Sequence, residues 1–111
     1  MKGKVFLMGA ENCGTGDRDI GYSITMQLLE TLAERPNKPA AIIMWNTAVS
    51  LMAADSPALS RLKKLEQSGV KLLAGRLCTT ELCIADKIAV GQIVDMNEIL
   101  DLLLNNEVIS L

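Results

Sequence analysis

An α/β fold, with a parallel sheet covered on both faces, is predicted by three observations on this chain. Short apolar runs of strand length alternate with stretches of helical periodicity, the pattern of successive β-α-β units. The run Ala40 to Trp45 (A-A-I-I-M-W) is continuously apolar and bounded by turn residues, as in a strand buried on both faces. Half of the 111 residues are apolar, yet there is only one Phe, one Trp and one Tyr, so the core must come from Leu, Ile, Val, Ala and Met. That length makes one domain spanning residues 1–111, with no room for a second.

The elements follow in order. Lys4 to Met8 (K-V-F-L-M) is a compact apolar strand, and Gly9 to Gly16 is a glycine-rich loop. Asp17 is a plausible N-cap for a helix over Asp17 to Arg35, in which Ile20, Ile24, Leu28 and Leu32 recur at four-residue spacing as the expected inner face. Pro36 to Pro39 ends it, and Ala40 to Trp45 is the second strand. Ala48 to Ala54 reads as a helical turn or two, with Thr47 as its cap. Ser56-Pro57 restarts a helix whose inner face is Leu59, Leu62 and Leu65, and Gly69 closes it. The third strand, Val70 to Ala74, breaks at Gly75-Arg76 into a turn carrying Cys78, before a short helix around Glu81 to Lys87. Val90 to Val94 is a fourth strand. Asp95 to Glu98 has the D-x-x-E form of a capping box and opens a helix through Leu104, and Glu107 to Leu111 is the fifth strand.

Composition excludes several classes of function. A net charge of −2 and few aromatic rings argue against a nucleic-acid partner. The absence of histidine removes Ser-His-Asp and Cys-His catalysis within one chain, along with the commonest metal ligand. The cysteines at 13, 78 and 83 form no C-x-x-C pair, so neither a metal nor another cofactor is expected. No apolar run approaches the ~20 residues needed to span a bilayer, so no membrane partner is expected. Met1 to Lys4 leads straight into a strand without a signal-peptide pattern. With an odd cysteine count, this predicts a cytoplasmic protein with free thiols. The apolar share is high for so short a chain, which predicts a homo-oligomer.

Cys78 is the candidate catalytic residue. It is placed between the carboxyl end of a strand and the start of a helix, where unpaired backbone N–H groups and the helix dipole favour an anion such as a thiolate. The alternative reading of Cys78 is a small buried apolar side chain, as unpaired cysteines usually are. In an open parallel sheet, ligands bind beyond the carboxyl ends of the strands. Those ends carry Asn12 and Cys13, then Asn46 and Thr47, then Arg76 and Cys78, and these residues are expected to share one rim as a substrate-binding set. Arg76 would steady an anionic sulfur species, or is simply solvated. Cys13 is either a second thiol facing Cys78 or an incidental loop residue. Cys83 reads as packing, and Trp45 as partly buried. The G-x-x-x-x-G-x-G loop matches neither G-x-G-x-x-G nor G-x-x-x-x-G-K-[ST], so its glycines are read as permitting the turn.

Three stretches together resemble the DsrE/DsrF-like family of small sulfur-relay proteins, and within it the DsrE-type C-terminal domain of YedF-type sulfurtransferase-like proteins. They are G-T-G-D-R-D-I-G (Gly14 to Gly21), I-I-M-W-N-T-A-V-S-L (Ile42 to Leu51) and D-K-I-A-V-G-Q-I-V-D-M-N-E-I (Asp86 to Ile99). The resemblance implies a three-layer α/β/α fold of flavodoxin-like architecture, its five parallel strands ordered 4-3-2-1-5. It also implies homotrimers or homohexamers, and a persulfide carried on Cys78. Two departures stand out. The YedF-type pattern has a further cysteine three residues before this one, where this chain has Gly75. The sulfurtransferase-like domain that precedes the YedF-type domain is also missing from these residues, so sulfur donor and acceptor are expected to be separate proteins. The function expected is a sulfur relay of the sulfurtransferase type on Cys78. The alternatives are a small-anion or nucleotide binding module and a non-catalytic subunit of a DsrE-type oligomer.

Overall fold

The structure, a computed structural model, describes residues 3–111. Its centre is β2 (Ala41–Met44), all four residues buried. Burying an aliphatic side chain of this size contributes roughly 1.5–3 kcal/mol over leaving it exposed, so Ile42, Ile43 and Met44 anchor the sheet. β1 (Lys4–Met8) and β3 (Lys71–Gly75) pair with β2, while β4 (Gln92–Val94) and β5 (Glu107–Ser110) form the two edges. All four pairings are parallel, and the order is β4-β3-β2-β1-β5. This is the α/β architecture the alternating pattern predicts, in the strand order the resemblance implies.

Strand side chains alternate between two faces. Met8, Ile42, Met44, Leu72 and Ala74 pack against one layer. It contains α1 (Arg18–Glu34), a 3₁₀ helix over Asn46–Met52 and α2 (Leu59–Gln67). Val5, Ala41, Ile43, Leu73 and Val94 pack on the other face, against Ile99, Leu102 and Leu103 of α4 (Met96–Asn105). α3 (Arg76–Glu81) continues directly from the carboxyl end of β3. No helix among the described residues is long and apolar enough to cross a membrane.

Local chemistry sets the boundaries. Asp17 caps α1, its Oδ1 accepting from Ile20 N–H at 2.9 Å, and Asp95 caps α4 through Glu98 N–H at 3.0 Å. Both caps stand where the sequence places them. Gly69, with φ +101°, closes α2 as expected.

Four expectations need correction. The inner face of α1 is Gly21, Thr25, Leu29 and Leu32, one residue out of phase with the apolar stripe, leaving Ile20 62% and Ile24 45% exposed. Small residues win this face because the loop before α1 presses on it, with Cys13 N–H donating to the Gly21 carbonyl and to Thr25 Oγ1. The helix after β2 starts at Asn46 and includes Thr47, which makes no side-chain cap. α2 begins only at Leu59, after a turn in which Ser56 Oγ accepts from Ala58 N–H at 3.1 Å. The helix expected over Glu81 to Lys87 lies earlier, as α3, followed by a single 3₁₀ turn at Ala85–Lys87.

Thr25 is fully buried, and its hydroxyl is placed to donate to the Gly21 carbonyl at 3.1 Å or to Cys13 Sγ at 3.2 Å. Thr25→Val leaves these partners short of one donor and one acceptor. It is expected to cost about 1 kcal/mol, read as a lower midpoint in urea unfolding.

Candidate functional site

Cys78 is the third residue of α3, inside its first turn and half-buried. The chain reaches it without a break: β3 ends at Gly75, which is extended (φ −65°, ψ 126°), and Arg76 starts the helix. Thr79, fully buried beside Cys78, donates its hydroxyl to the Arg76 carbonyl at 3.0 Å and fixes the turn from below. The loop after β2 supplies the polar contact to sulfur. Trp45 is extended, its N–H held by the Met8 carbonyl at 3.1 Å, and Asn46 turns into the left-handed region at φ 52°. Asparagine adopts that conformation more readily than most residues. The turn aims the Asn46 backbone N–H at Cys78 Sγ, 3.0 Å away.

Around this sulfur lies a crevice of about 440 Å³, lined by Trp45, Asn46, Gly75 to Cys78, Glu81, Leu82, Met96 and Ile99. It opens at the carboxyl ends of β2 and β3. Here the chain changes from helices on one face of the sheet to α4 on the other, the kind of position where open α/β sheets bind ligands. Its walls are mostly hydrocarbon. Leu77 is 67% exposed, and Leu82 and Met96 are also exposed, so apolar side chains rim the mouth. Arg76 and Glu81 bring one charge of each sign.

Of the residues expected on a single rim, Cys78, Asn46 and Arg76 meet in this crevice. Thr47 is exposed in the same loop but does not line it. Asn12 belongs to a different surface cavity, with Glu11, Arg18, Asp19 and Tyr22. Cys13 is turned toward α1, where its Sγ accepts from Thr25. The single rim is therefore corrected: the loop after β1 packs on α1 instead of joining the loops after β2 and β3. Sequence reasoning missed Glu81, Leu82, Met96 and Ile99 as lining residues. Glu81 and Leu82 follow Cys78 at the end of α3, the helix the sequence misplaces, and Met96 and Ile99 come from α4, which only the fold brings beside β3.

Cys83 is exposed, which corrects its reading as a packing residue. It sits at φ 57°, just past the end of α3, where its N–H donates to the Thr80 carbonyl at 3.1 Å and Ile84 N–H donates to the Thr79 carbonyl at 2.9 Å. This is a Schellman closure with cysteine where glycine is usual. Cys83→Gly is expected to raise stability by about 1 kcal/mol by relieving the left-handed backbone, measured by equilibrium unfolding.

The chain matches no established family profile and no curated protein sequence. Solved structures do match its fold. The ychN protein from E. coli aligns with a TM-score of 0.75 at 17% identity, covering 100% of both chains. MTH1491 from Methanobacterium thermoautotrophicum, a protein of unknown function, aligns with a TM-score of 0.73 at 14% identity over 97% of both chains. BT1422 from Bacteroides thetaiotaomicron, a conserved protein of unknown function, has a TM-score of 0.66 at 19% identity, over 97% of this chain and 94% of its own. At these identities the likeness is one of fold: the chain shares a five-stranded parallel α/β fold with the ychN protein.

Proposed function

We propose that this protein is a cytoplasmic sulfur carrier of the DsrE type, holding persulfide sulfur on Cys78 between a separate donor protein and a separate acceptor protein. The observation that carries the reading is the Asn46 N–H aimed at Cys78 Sγ at 3.0 Å, on the wall of an open crevice. The Cys78 thiolate attacks the outer sulfur of a donor persulfide R–S–SH. A Cys78 S–S bond forms as the donor S–S bond breaks, giving Cys78–S–SH and the donor thiolate R–S⁻. An acceptor thiolate R′–S⁻ then attacks the outer sulfur of Cys78–S–SH, giving R′–S–SH and returning the Cys78 thiolate. Sulfur and electrons balance in each step, and no histidine base is needed.

The site residues divide accordingly. Asn46 N–H holds the sulfur in place, Arg76 faces the anionic persulfide, and the apolar walls keep water from the bound sulfur. Asn12, Cys13 and Thr47 lie outside this crevice and take no part in the proposed transfer. A crevice so largely apolar, with balanced charges, favours this reading over one in which it binds a small anion or nucleotide. The exposed Ile20, Ile24, Leu100 and Leu104 support self-association, expected as a homotrimer or homohexamer.

Incubation with a low-molecular-weight persulfide, followed by intact-mass and peptide analysis, tests the proposal. One added sulfur on the Cys78 peptide, removed by an acceptor thiol, is the expected result; sulfur added only at Cys13 or Cys83 refutes it.

A further inference from the structure

Gly75 is a glycine for which neither backbone geometry nor packing gives a reason. It is the last residue of β3, buried, with φ −65° and ψ 126°, a conformation that any residue adopts. No neighbour excludes a side chain either. A Cβ at this position would stand 3.6 Å from Cys78 Sγ, 3.6 Å from Trp45 Cβ and 3.8 Å from Ile99 Cδ1, all ordinary contact distances. Gly21 differs in this respect, since a Cβ there would meet the Cys13 carbonyl oxygen at 2.8 Å. Glycine weakens a strand, having more chain freedom to lose and no side chain to pack, and inside one it often marks the close approach of another backbone or of a ligand. At Gly75 the three nearest atoms all belong to side chains, and the residue lines the crevice around Cys78.

We propose that the missing side chain leaves a slot for the outer sulfur of Cys78–S–SH, with the Gly75 Cα as its floor and Trp45 and Ile99 as its walls. The outer sulfur lies about 2.05 Å from Sγ, so it must use the space immediately around that atom. A methyl group at position 75, already in contact with Sγ, closes the directions on that side and leaves the outer sulfur standing in the mouth of the crevice. With glycine the sulfur rests against hydrocarbon, where a polarizable atom packs well. Gly75 is thereby a specificity-determining position, which makes room on Cys78 for one sulfur more than the thiol itself. The inference deepens the carrier reading of Cys78 and rests on it.

Gly75→Ala tests the slot, with cysteine persulfide as donor and intact mass as readout. The melting temperature is expected to hold or rise, because alanine fits the space and restricts the unfolded chain. Sulfur loading on Cys78 is expected to slow several-fold. Cyanide supplies a second measurement on the loaded proteins: its carbon attacks the outer sulfur, the S–S bond breaks, and thiocyanate leaves with the Cys78 thiolate restored. Sulfur carried by the Gly75→Ala protein after prolonged loading is expected to be removed several-fold faster than from the wild type. A wild-type chain that takes no sulfur on Cys78 overturns the carrier reading, and the slot with it. Where the wild type loads, a Gly75→Ala protein that matches it in either rate overturns the slot alone. So does a melting temperature lowered by more than a few degrees, because packing would then account for the glycine.

Discussion

A Cys78→Ser protein incubated with a persulfide donor is expected to gain no sulfur, while Cys13→Ser and Cys83→Ser proteins load as the unmodified chain does. Serine keeps an acceptor for the Asn46 N–H, so the loop after β2 and the first turn of α3 retain their contact and the fold should survive. What is lost is the nucleophile. Sulfane transfer proceeds through attack by a thiolate, and a hydroxyl does not substitute for it under these conditions. The two control cysteines are chosen for their surroundings. Cys13 is packed on α1 under Thr25, and Cys83 stands at the far end of α3 in a helix-closing turn. Intact-mass spectrometry reads the outcome directly. Equal loading of the Cys78→Ser protein would remove this residue from the chemistry.

The largest effect on stability is expected at Gly91, at the turn into β4. Its φ is +73°, and a Cβ there would run into the Leu72 carbonyl oxygen while meeting Met52 Cε at 2.6 Å and Leu72 Cβ at 2.9 Å. Met52 and Leu72 are both buried, so neither neighbour has space to retreat. The Gly91 N–H is also fixed, donating to Glu66 Oε2 at 2.8 Å. A left-handed backbone costs a residue with a Cβ roughly 1–2 kcal/mol, and overpacking a filled core adds about 1–3 kcal/mol. Gly91→Ala is therefore expected to lose about 2–5 kcal/mol. At ~4–8 °C per kcal/mol for a domain near this size, the melting temperature should fall by at least ~8 °C. Thermal unfolding followed by circular dichroism checks this, and a shift of only a degree or two would contradict the close packing of Gly91 on β3.

Much of the fold is legible in the residues because single positions carry unambiguous physics. A-I-I-M has no polar residue to turn toward water, so β2 is buried on both faces. Asp17 and Asp95 each stand where a short carboxylate meets the N–H groups of a new helix, and both cap one. The phase of α1 is not legible in the same way. Four large aliphatics at helical spacing point to an inner face, but close approach of the loop over residues 9–16 selects Gly21 and Thr25 for it instead. That choice depends on a tertiary contact, and it leaves Ile20 and Ile24 outside.

α3 is misplaced for a related reason. R-L-C-T-T-E has two adjacent β-branched residues and no apolar period, so neither propensity nor pattern marks it as a helix. Burial of Thr79 against the sheet, and its hydroxyl bond to the Arg76 carbonyl, hold the turn. The candidate site is half legible. Cys78 follows from the strand-to-helix junction, and Asn46 and Arg76 from the neighbouring strand ends. The apolar walls from Leu82, Met96 and Ile99 depend on where α4 crosses the sheet, which no local pattern reports.

The most direct measurement is the alkylation rate of each cysteine in the folded chain at neutral pH, followed by peptide mapping after brief exposure to iodoacetamide. Exposure alone would make Cys83 the fastest, since it is the most open of the three thiols. The proposed carrier role predicts the opposite order: Cys78, although half-buried, reacts several-fold faster than Cys83 because its sulfur is poised as a nucleophile. A Cys78 that reacts more slowly than Cys83, at a rate explained by its partial burial, would contradict that role.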